Sequence, residues 1–173
     1  MFKVLLFSAI VFAANVSSAQ SEPESAPVQK KHLHGLATTT MGFDDKKGKI
    51  ELHVNAEAIY GFEHEAKSKK DKARKEKGLA KLEEKIADMI VFDKSLNCEI
   101  KKEIFEVNQE RRAHAEVIAE FSVTCTAPVA GTSVEFNFQK AFPRIKTVQV
   151  DAIVDSVQKS AEITKNGESL ELK

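Results

Sequence analysis

The sequence predicts an α+β domain with a mostly antiparallel sheet: two hairpin-plus-helix units, then further strands, and one disulfide. Three observations carry that reading. Lys49–Asn55 and Ala113–Thr126 alternate apolar and polar residues, the period of half-buried strands. Between them runs one long stretch with helical spacing, Leu79, Leu82, Ile86 and Ile90, with Met89 beside it. Turn clusters such as Asp44-Asp45-Lys46-Lys47-Gly48 and Asn166-Gly167 join neighbouring strand patterns closely enough for hairpins.

The elements follow in order. Lys3, the apolar run Val4–Ala14 and the small residues Ser17-Ser18-Ala19 have the layout of a secretory signal peptide, residues 1–19, cut after Ala19. The apolar run is shorter than the roughly 20 residues a membrane span needs, and no cysteine follows the cut, so neither membrane insertion nor a lipid anchor is expected. Residues 20–31, with Pro23, Pro27 and several Ser and Glu, read as a flexible tail. Residues 32–173 are expected to form one metal-binding domain.

Leu33–Phe43 and Lys49–Asn55 form the first hairpin. Ile50, Leu52 and Val54 face one way; Glu51, His53 and Asn55 face the other, so His53 reads as a solvent histidine. The short run Ala56–Tyr60 ends at Gly61-Phe62-Glu63-His64-Glu65. The long helix then starts near Lys70. Gly78 inside it costs up to about 1 kcal/mol against alanine. Leu96–Val107 is a strand and Asn108–Arg111 a turn. In the strand Ala113–Thr126, Ala115, Val117, Ala119, Phe121, Val123 and Cys125 share one face, while His114 and Glu116 lie on the other. Residues 132–142 read as a short helix stopped by Pro143, although Val134-Glu135-Phe136-Asn137-Phe138 also alternates as a strand would. Ile145–Val154, Ser160–Thr164 and Leu170–Leu172 complete the strands.

Charge is balanced, 26 basic against 26 acidic residues. The most basic stretch, Lys67–Lys77, is interrupted by Asp71 and Glu76, so it reads as a solvated helix face and no nucleic-acid partner is expected. Cys98 and Cys125 are an even pair in a chain read as exported, which predicts a disulfide.

The histidines carry the chemistry. His32 and His34 are two apart; on a strand they share a face about 6.5 Å apart, a spacing that suits two ligands on one metal ion. A polar strand start with two exposed histidines is the plain alternative. His64 precedes the long helix, and His114 opens a strand with Glu116 at i+2. Each sits at the end of an element, where one rim of a sheet can gather them. The candidate metal ligands are therefore His32, His34, His64 and His114. Glu63 and Glu116 are alternative ligands, or partners that orient a ring. Zinc suits such nitrogen and carboxylate donors. The chain has no HExxH helix motif and no nucleophile elbow, so no enzyme activity is expected.

The chain resembles the ZrgA-type family of periplasmic zinc-uptake proteins of Gram-negative bacteria. The resemblance rests on His32-Leu33-His34-Gly35 after a signal peptide, Gly61-Phe62-Glu63-His64 after the first hairpin, and Cys98. It continues with His114-Ala115-Glu116, Cys125 with Pro128 soon after, and Phe142-Pro143 before Val148-Gln149-Val150. It implies a periplasmic zinc-binding protein in zinc acquisition, with the zinc ion and an inner-membrane zinc import system as partners. Position by position, His32 or His34 or both, with His64 and His114, are the ligands it implies. Many relatives carry a His- and Asp-rich insertion before the His-Ala-Asp/Glu motif. Here Asn108–Ala113 holds no histidine, so that metal-collecting loop is missing. The alternative is a metal-independent periplasmic protein-interaction domain that uses its hairpin edges or charged helix.

Overall fold

The structure is a computed structural model, and it describes residues 34–109 and 114–173. The proposed signal peptide, the tail, His32 and most of the turn after Asn108 lie outside these residues.

β1 (Leu36–Asp44) and β2 (Lys47–Asn55) pair as the expected hairpin, with Asp44 opposite Lys47. Their apolar residues fall on one face, where Met41, Phe43, Ile50, Leu52 and Val54 are buried. A five-residue helix, α1 (Ala56–Tyr60), follows at once. The long helix α2 spans Lys69–Met89 and buries Gly78, Leu82, Ile86 and Met89. Ser68 caps it: the Asp71 backbone N–H donates to Ser68 Oγ at 3.0 Å, which satisfies one of the first-turn donors. Gly78 has a packing reason. A Cβ there would stand 2.7 Å from Tyr60 Cβ and 2.9 Å from the Ile59 carbonyl, so only glycine lets α2 lie this close to α1.

Ile90 belongs to the expected helical stripe by spacing, yet the helix stops one residue earlier. Ile90–Phe92 is extended and forms β3, paired with β6 (Ser133–Phe136). The same pairing corrects the expected helix over 132–142. Ser133–Phe136 is a strand, with Val134 and Phe136 buried, and only Phe138–Ala141 (α3) is helical. Alternation won because this segment is the middle strand of a small sheet: β3 pairs on one side, β9 (Glu168–Glu171) on the other. Local helical spacing does not outweigh two rows of backbone hydrogen bonds.

The large sheet adds β4 (Glu99–Gln109), β5 (Ala115–Thr124), β7 (Thr147–Val154) and β8 (Val157–Ile163), in the order β4-β5-β2-β1-β7-β8. All neighbours are antiparallel except β1 and β7, which run parallel. The fold is thus α+β with a largely antiparallel main sheet, as the sequence predicts. Both sheets and the helices feed one core. Phe43 of β1 meets Phe92 of β3 edge to face at 5.5 Å, tying the sheets together. Each fully buried Leu, Ile or Phe in such a core contributes roughly 1.5–3 kcal/mol.

Cys98 and Cys125 form the expected disulfide, beside the start of β4 and the end of β5. It closes a loop with a sequence separation of 27. Restricting the unfolded chain in this way contributes about 3–4 kcal/mol.

Candidate metal centre

Strand register sets the stage. Leu36 lies opposite Thr147, Ala37 opposite Val54, Asn55 opposite Glu116, and Ala115 opposite Gln109. The starts of β1, β5 and β7 and the ends of β2 and β4 therefore share one rim of the sheet. His34 sits there just ahead of β1. Its neighbour Gly35 is pinned, because the Gly35 carbonyl accepts from Lys146 N–H at 2.7 Å and Thr147 N–H at 3.1 Å. Glu57 is in the first turn of α1. Gly61 ends that helix in the left-handed region, φ 89°, with its N–H donating to the Glu57 carbonyl at 2.9 Å. A side chain would be strained in that conformation, and its Cβ would stand 2.6 Å from the Arg74 guanidinium. The turn it makes brings Glu63 back to the rim.

Three segments thereby converge. The donor atoms of His34, Glu57 and Glu63 all lie within 4.8 Å of one another. His34 Nδ1 is 3.2 Å from Glu57 Oε2 and 3.9 Å from Glu63 Oε1. Donors on one tetrahedral zinc stand roughly 3.2–3.6 Å apart, so the His34–Glu57 distance already fits and the His34–Glu63 distance is a few tenths of an ångström longer. His114 approaches from behind: its ring Nδ1 is 2.7 Å from Glu63 Oε2, with the ring donating to the carboxylate. The His34 and His114 ring centroids are 6.5 Å apart.

Glu63 is the centre of the arrangement. Its side chain is only 10% exposed, whereas His34 is 66% exposed. One Glu63 oxygen is satisfied by His114; the other, Oε1, is buried with no hydrogen-bond donor. An unpartnered buried carboxylate oxygen costs free energy, and a cation between Glu63, Glu57 and His34 would satisfy it. The residues present therefore fit a divalent ion. Nearby, burial first and then the Glu63 charge push the Tyr60 hydroxyl up to about 12.

The other expected residues have different neighbours. His64 Nε2 lies 3.6 Å from Asp71 Oδ2 at the head of α2, and its ring rests on Phe62 at 4.6 Å. The Asp71 carboxyl is held below its usual range, by the Ser68 hydroxyl first and by His64 as well. Glu116 faces His53 on the open side of the sheet, with His53 Nδ1 at 3.5 Å and Glu51 on the other ring nitrogen. The rim thus brings His34 and His114 to one carboxylate, while His64 and Glu116 engage other partners. His32 lies outside the described residues.

Sequence reasoning missed Glu57. The signal was Asn55 just before Ala56-Glu57, a cap-type residue with an acid in the following turn, which marks a helix start. The run is only five residues long, too short to show a helical period.

A cleft of about 290 Å³ opens at the rim, lined by His34, Gly35, Asn55, Glu57, Ala58, Arg144 and Lys146. A larger hollow of about 510 Å³ lies elsewhere, between α2 and α3, and no histidine lines it.

A histidine and carboxylates gathered at a sheet rim, one of them with an unpartnered buried oxygen, define a candidate metal-binding domain. The chain belongs to the ZrgA family of zinc uptake proteins, whose profile matches residues 31–172. Membership ties it to zinc and to a family of uptake rather than of catalysis. No curated protein matches it.

Proposed function

We propose that this protein is a periplasmic zinc-binding protein that takes part in zinc acquisition. Zinc is its cargo, held by His34, Glu57 and Glu63, while His114 seats the Glu63 carboxylate. The observation that carries the reading is the buried, donorless Glu63 Oε1 facing His34 and Glu57. Export is supported by the signal-peptide pattern of residues 1–19 and by a disulfide, a bond that persists in oxidising compartments. Among the described residues no helix is long and apolar enough to cross a membrane. An inner-membrane zinc import system is the proposed recipient of the ion.

The test is a zinc titration of the purified protein against a competing chelator. One zinc bound more tightly than about 1 μM is expected. The affinity should fall in acid, because protons compete with zinc for its imidazole and carboxylate ligands. Binding no tighter than about 1 mM would end the reading.

A further inference from the structure

We infer that the cleft beside the rim takes a small carboxylate together with zinc; this rests on the zinc reading above. Three protein donors on a four-coordinate ion leave one position for an outside ligand. Two of the three, His34 and Glu57, line the cleft, and so do Arg144 and Lys146. Arg144 is exposed and has no ion pair among the described residues, while the Lys146 ammonium already donates to the Pro143 carbonyl at 2.6 Å. Asn55 lines the same cleft, and its side-chain nitrogen is buried without an acceptor.

Charge makes the binding conditional. Without the metal, the carboxylates of Glu57 and Glu63 balance the cations of Arg144 and Lys146. With Zn²⁺ the same groups carry a surplus of two positive charges, which an anion relieves. The guanidinium presents a planar fork that matches a carboxylate, whose oxygens are also ordinary zinc ligands. The volume, about 290 Å³, lies at the small end of ligand cavities and suits something the size of acetate or succinate. Zinc and the carboxylate should therefore each tighten the other by the same factor.

The experiment measures zinc affinity of the full chain by chelator competition, in perchlorate buffer and with acetate added, correcting for zinc held by acetate itself. Acetate should tighten zinc binding by about fivefold or more. Arg144→Gln should abolish that response. It should also tighten zinc binding in perchlorate alone, because a like charge has left the metal's surroundings, whereas a damaged fold would weaken it. Equal zinc affinity with and without acetate would overturn the inference, as would an Arg144→Gln protein that responds like the parent. If no zinc binds in either buffer, the zinc reading fails and this inference with it.

Discussion

Two histidine–carboxylate groups sit on the same sheet and differ in one respect. At the rim, His34, Glu57, Glu63 and His114 leave a buried carboxylate oxygen without a donor. On the open face, Glu51 and Glu116 flank the His53 ring, one carboxylate facing each ring nitrogen. The donors of His34, Glu57 and Glu63 come from three separate segments and converge. In the second they flank a ring that stands between them. An unmet hydrogen-bonding valence at the point of convergence separates the two.

The sharpest way to break this comparison is to neutralise one carboxylate in each group. Glu63→Gln should weaken zinc binding by about 100-fold, since it removes the ligand's charge and leaves one oxygen to serve both the ion and the His114 ring. Glu116→Gln should leave chelator-measured affinity within about twofold, because additivity holds for sites without shared partners. Equal losses in both proteins would make the open face part of the metal chemistry.

A smaller effect separates ligand from support. His114→Ala should cost about tenfold in zinc affinity, the usual result of removing a group that orients a ligand. His53→Ala should change affinity little in the same assay. A loss at His114 as large as at Glu63 would place the ring in direct contact with the ion.

The smallest effect concerns His64. Ser68→Ala should lower stability by about 1 kcal/mol, read from the urea midpoint, through loss of the helix cap. The sign with pH follows from Asp71, whose depressed folded pKa favours the native state above its unfolded value. That contribution disappears as pH falls through the folded value, so the gap between the parent and Ser68→Ala midpoints should narrow in strong acid to the part owed to the backbone cap, which does not titrate. Zinc affinity should stay unchanged; a drop would tie the His64–Asp71 pair to the rim.

Much of this was legible in the sequence. The period-two faces of β2 and β5 and the cysteine pair gave the main sheet and its disulfide, because alternation directly reports burial on one face. The segment Ser133–Phe136 was ambiguous, since helical and extended spacings coincide over so few residues, and only its neighbours β3 and β9 decide between them. At the rim, His34, Glu63 and His114 were visible as histidines and an acid at element ends. Their mutual distances were not, because strand register is a long-range property. Glu57 was hidden by the shortness of α1, and the engagement of His64 with Asp71 by a side-chain choice that spacing does not encode.

The parallel pairing of β1 with β7 has a consequence for assembly. His34 stands beside Gly35, whose carbonyl is fastened by the amides of Lys146 and Thr147. A nascent polypeptide emerging amino end first completes its first hairpin early, but the anchor for that histidine arrives more than a hundred residues later. The candidate site at the rim therefore gains its anchor only once Lys146 and Thr147 have been delivered. A product truncated before Lys146 would lack the clamp, however well its hairpin had formed.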